Sequence, residues 1–426
     1  MLNKDGQREL AYIVQVDDIQ PIEGSDNCEC AVVGGWHTMV RKGAFKVGDF
    51  GVFFEIDSKL PQRPEFAFLA KRKYKIKTQK FTFGGRGNFV SQGLLMAFKD
   101  FEDEWGNAPA WLVSFSAAQL AVAGNPDKDW KDFRFVTKDI GVTYSVQEDN
   151  KRKAEKDKYR SMYDRHKKLF RHQPYKYLYS TDWGKKLLFL FFGKKKDNKK
   201  RFPTHFEYIH KTDQERVENM TWVLEDKTPF IVTEKCDGSS ATYILERKGK
   251  KKFEFYVCSR NVRMLNDTQE NYHTTSKGEL NVYWEMAKEY DIEEKLRDIL
   301  ETNTSLKYVC WQGELCGPKI QGNPHQLDEN HLFLFHMIDS ERGMYDLSLS
   351  KAVWNTYGME SVPILGTTIL PDEIEEFKRQ ADGNYSPQVC GKGKTCAREG
   401  FVYYKTDDPN FSFKNVSREY LIKKGE

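Results

Sequence analysis

The chain has 426 residues, of which 14% are aromatic and 39% hydrophobic, and this composition excludes global disorder and predicts two or three domains. The formal net charge of +4 conceals a strong segregation, because residues 151–201 carry 19 Lys and Arg against 5 Asp and Glu. Such a basic stripe favours a polyanion partner, with nucleic acid first, although a solvated insert carries the same charges equally well.

The apolar runs and the cysteines point to a protein that is neither membrane-bound nor secreted. The longest apolar run, Leu187 to Phe192, is far below the ~20 residues that cross a bilayer. The first residues lack the apolar region of a signal peptide. The eight cysteines form no CxxC pair, which argues against a structural zinc site. We therefore expect a cytoplasmic protein with reduced thiols, and a viral origin with action in the host cytoplasm stays open.

Residues 1–102 are predicted to form a small β-barrel, because short β-prone runs alternate there with Gly and Asp turns. The predicted strands are Ala11–Val16, Cys30–Val33, His37–Val40, Gly51–Ile56 and Leu94–Phe98. Aromatic residues are interleaved with a basic stretch of this segment, a pattern typical of phosphate contact with base stacking. Its candidate RNA-binding residues are Lys73, Lys75, Lys77 and Lys80. A loop with buried aromatics explains the same pattern.

Residues 103–200 are predicted to be a linker with a basic insertion, in which Lys151 to Phe170 favours a helix. Residues 201–426 are predicted to form one domain of strands and helices. Its predicted strands are Phe230–Thr233, Ala241–Leu245, Phe253–Cys258, Lys307–Trp311, Leu332–Met337 and Gly400–Tyr404. Helices are predicted over residues 281–300 and 371–380, and Thr212–Arg216 is typical of a helix start.

The sequence Lys235-Cys236-Asp237-Gly238 follows the first of these strands and precedes the second. A lysine at a strand end, beside a Gly that permits a tight turn, suits an amine that attacks a phosphate, whereas the same residues also suit an ordinary hairpin turn. A lysine with a pKa near 10.4 needs a shift of ~3 units to be neutral at pH 7. Burial and the nearby cations Arg260, Lys414 or a metal are predicted to lower it.

Six short motifs occur in order over about 180 residues, and together they resemble the collinear motifs of the covalent nucleotidyltransferases, the ligases and capping enzymes. The motifs are Lys235-Cys236-Asp237-Gly238, Ser259-Arg260-Asn261, Gly313-Glu314-Leu315-Cys316-Gly317, Phe333-Leu334-Phe335, Glu399-Gly400-Phe401-Val402 and Phe413-Lys414. The resemblance implies an α+β fold, in which an OB-like barrel precedes an ATP-grasp-like nucleotidyltransferase domain of antiparallel sheets and helices. It also implies domains at residues 1–102 and 201–426, with the insertion at 103–200 between them.

Within that superfamily the details resemble the ATP-dependent RNA ligases that have an N-terminal OB domain and no C-terminal one. DNA ligases usually have an Arg soon after the Asp-Gly pair, whereas Ser239 and Ser240 occur here. Twelve residues follow Lys414, which are too few for the C-terminal OB domain of DNA ligases and capping enzymes. The segment from Lys211 to Arg216 also looks like that group. A DNA ligase, a GTP-using capping enzyme and a non-catalytic RNA-binding protein or scaffold on the same fold remain alternatives.

The resemblance implies a role for each matching residue. Lys235 would become a lysyl–AMP adduct, Lys414 would contact the α-phosphate, and Arg260 would contact the ribose or an incoming 5′-phosphate. The implied ATP-binding residues are Glu234, Lys235, Arg260, Glu314, Phe335, Glu399 and Lys414, with Phe335 as the adenine platform and also a plausible core residue. Asp237, Glu314 and Glu399 would hold a largely hydrated Mg²⁺ or Mn²⁺. The expected partner is RNA with 3′-hydroxyl and 5′-phosphate ends, held as a nicked duplex or folded RNA by a monomer.

Overall fold

A computed structural model describes residues 8–83, 88–103, 106–122, 134–144, 159, 162–163, 166–192, 213–260, 263–264 and 281–424. The architecture is α+β, as predicted. The helices in these parts of the chain lack the length and apolar character that a bilayer crossing requires.

The N-terminal strands form small antiparallel sheets that enclose an aromatic core. They are β1 (Ala11–Gln15), β2 (Asp18–Pro21), β3 (Cys28–Val33), β4 (Trp36–Arg41), β5 (Phe50–Phe54), β6 (Ser58–Lys59), β7 (Gln79–Thr82), β8 (Asn88–Ser91) and β9 (Leu94–Ala97). Strand β5 lies between β1 and β9, and β3 lies between β2 and β4. Tyr12, Trp36 and Phe53 pack in the interior, where the ring centroids of Trp36 and Phe53 are 6.0 Å apart. All five predicted strands are present, within two residues of their predicted bounds.

Part of the predicted linker packs against this barrel. Helix α1 (Ala110–Val122), helix α2 (Thr137–Ile140) and strand β10 (Thr143–Tyr144) follow β9 in the chain. Leu112, Phe115 and Ile140 join the same apolar cluster as Phe54, and β10 pairs with β6. The packed N-terminal unit therefore extends beyond the predicted end at residue 102, because these apolar side chains find their partners on the barrel.

The basic segment forms short helices where the structure describes it. They are α3 (Lys167–Phe170), α4 (Tyr175–Ser180) and α5 (Asp182–Phe192). Phe170 and Leu188 are buried in their own small cluster with Met162. Most of the helix predicted over Lys151 to Phe170 lies outside the described residues.

Two sheets form the second domain. The five-stranded sheet has the order β11 (Glu215–Arg216), β21 (Ser412–Val416), β20 (Gly400–Lys405), β12 (Phe230–Glu234) and β19 (Ile364–Thr368). The six-stranded sheet has the order β15 (Arg263–Met264), β14 (Lys252–Ser259), β13 (Ser239–Gly249), β16 (Tyr308–Cys316), β17 (His331–Asp339) and β18 (Gly343–Met344). One core, which includes Val402 and Tyr404 of the first sheet and Trp311 and Leu334 of the second, joins them. The sheets are antiparallel except for the parallel pair of β11 with β21 at the edge of the first, which departs from the purely antiparallel prediction.

Helices complete the domain: α6 (Val282–Glu289), α7 (Ile292–Thr302), α8 (Leu347–Thr356), α9 (Ile374–Arg379) and α10 (Arg418–Lys424). The single helix predicted over 281–300 is two helices, because Asp291 between them has a left-handed φ of 48°. The helix start predicted at Thr212–Arg216 is wrong for its described part, where Glu215 and Arg216 form β11 and pair with Phe413 and Lys414.

Gly238 is required by the close approach of β16 and not by a left-handed turn. A Cβ atom at this position would lie 2.1 Å from the carbonyl oxygen of Leu315 and 2.9 Å from the Sγ of Cys316. The backbone oxygen has no room to withdraw without breaking the pairing of β13 with β16.

Gly238→Ala is therefore expected to lower the free energy of unfolding by about 3 kcal/mol, the upper end of the cost of overpacking. Urea denaturation of the whole chain measures this change. Gly249→Ala, at the far end of the strand that Gly238 precedes, is the matched control, because its Cβ would meet only the Lys252 Cβ at 3.9 Å. Equal midpoints for the two variants would contradict the steric argument.

Candidate active site

Lys235 lies at the mouth of a cavity between the two sheets. It follows the last residue of β12, and its backbone N–H donates to the Gly400 carbonyl at 2.9 Å. The hydroxyl of Tyr385 donates to the Lys235 carbonyl at 2.7 Å, so the backbone of the lysine is held on both sides. The cavity is lined by Gln214, Thr233, Glu234, Lys235, Cys236, Glu314, Phe335, Val362, Val402 and Tyr404.

The ammonium group of Lys235 lies among carboxylates. Its Nζ is 2.9 Å from the Oε2 of Glu399. Burial acts to lower the pKa of Lys235, but the negative charges of Glu399 and Glu314 outweigh it and hold this pKa above its ordinary value. The prediction that the pKa of Lys235 is lowered is therefore wrong for the protein alone. The ion pair with Glu399 has a larger effect on this pKa than the cations on which the prediction relied.

Glu314 faces the same cavity from the six-stranded sheet. The pairing of β13 with β16 sets Glu314 opposite Ser240, so the carboxylate faces the residues that follow Lys235. Burial, reinforced by Glu399 and Asp237 and opposed by Lys235, raises its pKa to about 8. The carboxylates of Glu314, Glu399 and Asp237 are thus close enough to influence one another.

Lys414 supplies a second amine from strand β21, whose register sets it beside Val402 on one side and Arg216 on the other. Burial, together with the positive charges of Lys235 and Arg216, lowers its pKa to about 8. Lys414 is thus a cation at neutral pH that loses its charge more readily than an exposed lysine. Such a group suits the stabilisation of a phosphate.

Phe335 occupies a β-bulge. Gln312 pairs with His336 and Gly313 pairs with Leu334, so Phe335 is the extra residue on β17. The side chain is only 8% exposed, yet it lines the cavity. A bulge changes the direction in which the neighbouring side chains point, and this one directs the Phe335 side chain toward the Lys235 cavity.

Glu234 and Arg260 have protein partners of their own. The Glu234 carboxylate is buried and accepts from the Ser386 hydroxyl at 2.8 Å and from the Ser386 N–H at 2.9 Å. Arg260, at the end of β14, is exposed and paired with Asp213 at 2.6 Å. A ligand role for Arg260 requires exchange of this exposed ion pair, which costs little, whereas Glu234 supports the cavity wall through Ser386. Both ATP-binding roles stay predictions.

Asp237 lies just beyond Lys235, and its carboxylate accepts a hydrogen bond from the Tyr420 hydroxyl. The described residues contain no group of three or more His, Cys, Asp or Glu side chains close enough to enclose a metal ion. A largely hydrated Mg²⁺ or Mn²⁺ needs no such cage, because it keeps several waters and takes few direct carboxylates. The metal-holding roles of Asp237, Glu314 and Glu399 therefore stay predictions.

The four candidate RNA-binding lysines have different surroundings. Lys73 and Lys77 are exposed, whereas Lys75 is half-buried and its backbone forms an isolated β-bridge with Lys59. Lys80 donates from its Nζ to the Ile422 carbonyl at 2.9 Å and so joins the barrel to the second domain. Their contacts with RNA stay predictions.

Sequence analysis did not identify several residues that line the cavity or contact a site residue. Val362, Val402 and Tyr404 line the cavity as ordinary apolar or aromatic strand residues, and Gln214 precedes a strand of two residues. Tyr420 lies 183 residues beyond Asp237, in the C-terminal helix. The spacing of apolar residues along a helix predicts only that such a tyrosine is part of the core.

Comparison with known proteins follows the two-domain division. A model of the RNA ligase family matches residues 228–419, and a model of an OB-fold domain matches residues 10–98. No curated protein sequence is a significant match to the chain.

Solved structures of an RNA ligase from Naegleria gruberi are similar over almost the whole of both chains. A form with PPi is 25% identical with a TM-score of 0.58, and the match covers 98% of this chain and 99% of that chain. A mutant with AMP and Mn is 25% identical with a TM-score of 0.57 and the same coverage. A mutant with ATP and Mn is 24% identical with a TM-score of 0.58, again over 98% and 99%.

The OB-fold match covers the predicted barrel, and the ligase match contains every motif from Lys235 to Lys414. The predicted fold and the predicted enzyme class are confirmed by these matches. The chain therefore carries a domain of the RNA ligase family at residues 228–419, with an OB-fold domain ahead of it at residues 10–98.

Proposed function

We propose that the protein is an ATP-dependent ligase that joins a 3′-hydroxyl to a 5′-phosphate of RNA through a lysyl–AMP and an RNA–adenylate intermediate. The observation that carries the proposal is the position of Lys235 at the mouth of the cavity, with Glu399 at 2.9 Å and with Glu314 and Phe335 in the cavity wall. The ATP, AMP, PPi and Mn in the similar Naegleria structures support this choice of co-substrate and metal.

In the first step the neutral amine of Lys235 attacks the α-phosphorus of ATP. A P–N bond forms, the bond to the bridging oxygen breaks, and pyrophosphate leaves. Glu399 already accepts a hydrogen bond from the Lys235 Nζ, so it is in position to take the proton. Lys414 stabilises the negative charge that develops on the α-phosphate. The aromatic ring of Phe335 in the cavity wall offers a surface on which the adenine can stack.

In the second step an oxygen of the RNA 5′-phosphate attacks the same phosphorus, the P–N bond breaks, and Lys235 recovers its proton. In the third step a 3′-hydroxyl attacks the activated 5′-phosphate, and AMP leaves. Each step is an in-line displacement at phosphorus, so one arrangement of cations serves all three. Exchange of the Arg260–Asp213 ion pair frees a guanidinium for the incoming phosphate.

Asp237, Glu314 and Glu399 are the residues that would hold the metal. They are oxygen donors of the kind that Mg²⁺ and Mn²⁺ prefer, and Glu314 lines the same cavity as Lys235. When bound, such an ion neutralises phosphate charge and helps the leaving group depart.

The expected substrate is a break held in a nicked duplex or a folded RNA, bound by a monomer through the OB-fold domain and the basic segment. Binding through phosphates is expected to weaken steeply with salt. The eight cysteines are free thiols, which supports action in the cytoplasm.

Mass spectrometry of the purified protein, incubated with ATP or with GTP, tests the proposal. A gain of one AMP on the peptide containing Lys235, with no gain of GMP, is expected. The adduct is then offered nicked RNA or nicked DNA, and sealing of the RNA nick is expected. Absence of any covalent nucleotide would contradict the proposal, a GMP adduct would indicate a capping-type enzyme, and sealing of DNA alone would indicate a DNA ligase.

A further inference from the structure

The C-terminal helix α10 is fixed to the strand and loop that carry two site residues. It begins four residues after Lys414, and the N–H of Ser417 donates to the Glu399 carbonyl at 2.8 Å. The Ser417 hydroxyl donates to Asp382 at 2.7 Å and accepts from the Tyr420 N–H at 3.1 Å. The start of the helix is therefore held by the ligase domain.

One face of this helix contacts the OB-fold domain at the hairpin formed by β7 and β8. The guanidinium of Arg418 lies over the ring of Phe89 at 5.2 Å from its centroid. The Nζ of Lys80 donates to the Ile422 carbonyl at 2.9 Å. Arg418 and Ile422 are four residues apart and so share a face of the helix.

Tyr420 points in the opposite direction. It lies two residues from Arg418, or about 200° around the helix axis, and it is 5% exposed. Its hydroxyl donates to the Oδ2 of Asp237. The Asp237 N–H donates separately to the Nε2 of His325 at 3.1 Å, so the backbone at this position is held by another contact.

We propose that Tyr420 is a positioning residue for the Asp237 carboxylate, and that the C-terminal helix links the position of the OB-fold hairpin to that carboxylate. A phenol that donates to one carboxylate oxygen restricts rotation of the group, and thereby directs the other oxygen. The proposal deepens the proposed function, on which it rests, because it gives the RNA-facing domain a physical connection to the residue beside Lys235.

Tyr420→Phe tests the first half, because it removes the hydroxyl and keeps the ring. The Mn²⁺ concentration for half-maximal lysyl–AMP formation is expected to rise about 10-fold, the smaller of the losses usual for a side chain that orients a metal ligand. The dissociation constant of Mn²⁺ without ATP, measured by electron paramagnetic resonance of the free ion, is expected to rise by the same factor.

A double-mutant cycle with Asp237→Asn separates positioning from a merely structural role. If Tyr420 acts through Asp237, Tyr420→Phe adds less than about twofold in the Asp237→Asn background. Independent, multiplying effects would overturn the proposal, as would an unchanged Mn²⁺ requirement in Tyr420→Phe. If the wild type forms no lysyl–AMP, the proposed function fails, whereas a normal adduct with no Tyr420 effect refutes only the positioning role.

Lys80→Met tests the link to the OB-fold hairpin. Loss of its hydrogen bond to Ile422 is expected to raise the Mn²⁺ dissociation constant about threefold in the absence of RNA, a change of the size that one exposed hydrogen bond supplies. Lys99→Met is the matched control, because Lys99 is an exposed lysine of the same domain with no role assigned to it. Equal dissociation constants for Lys80→Met and Lys99→Met would refute the link and leave the role of Tyr420 to the first test.

Discussion

Lys235→Met is expected to eliminate covalent AMP incorporation and to reduce RNA joining by at least about 10⁴-fold, a loss typical of removing a nucleophile. Methionine keeps most of the length of the side chain but has no amine, so the P–N bond cannot form. The variant also loses the ion pair with Glu399. That pair is partly solvated, so the fold is expected to survive. The measurements are the intact mass after incubation with ATP and the rate of sealing of nicked RNA.

Lys252→Met is the matched control for this experiment, because it changes an exposed lysine at the start of β14. It is expected to retain the wild-type rate of adduct formation and the wild-type sealing rate. RNA joining by Lys235→Met at the wild-type rate would remove the basis of every role assigned to the site.

Lys414→Met is expected to slow lysyl–AMP formation by about 10² to 10³-fold at pH 7, because it removes a preorganised charge from the α-phosphate. Burial and the charges of Lys235 and Arg216 lower the pKa of Lys414 to about 8, so the wild type carries this charge below pH 8 and loses it above. The ratio of wild-type to variant rates is therefore expected to fall as the pH rises from 7 to 9.5. Measurement at ATP concentrations far below saturation reports the free protein.

Lys414→Arg provides the complementary test, because a guanidinium stays charged over this whole range. Its rate is expected to keep rising above pH 8 as Lys235 loses its proton, whereas the wild-type rate is expected to level off, because Lys414 loses its charge over the same range. Lys405→Met on the neighbouring strand is the control, since Lys405 is paired with Asp226 at 2.9 Å. A wild-type to Lys414→Met ratio that does not change with pH would contradict the assignment of this pH dependence to Lys414.

The raised pKa of Lys235 has a consequence for the order of binding. In the protein alone, the Glu399 carboxylate keeps this amine protonated. A divalent cation that entered with ATP and lay beside Glu399 would reverse the balance, because it would screen that carboxylate from the amine. The ion pair with Glu399 is thus expected to keep the lysine unreactive until the co-substrate and the cation are in place.

Sequence analysis identified the candidate site residues but not the residues that support them. Lys235, Glu314, Glu399 and Lys414 were found because each belongs to a short motif near a strand end or within a strand. The partner of Glu234 was not found, because Ser386 is 152 residues away and has no motif of its own. Phe335 was left between core and ligand site, and the structure places it both in a buried cluster and in the cavity wall, while its adenine-binding role stays a prediction.

The sequence alone determined the class of protein and the order of its OB-fold and ligase domains, because the series of short motifs and the strand pattern are local properties. It also supplied the candidate site residues, whose roles stay predictions. The tertiary structure decided which charges surround the reactive amine, and so reversed the predicted direction of the Lys235 pKa. It also decided that residues 110–144 pack on the barrel and that Tyr420 reaches Asp237. These properties depend on contacts between residues far apart in the chain, and electrostatic energy depends on distance in space and not on distance in sequence.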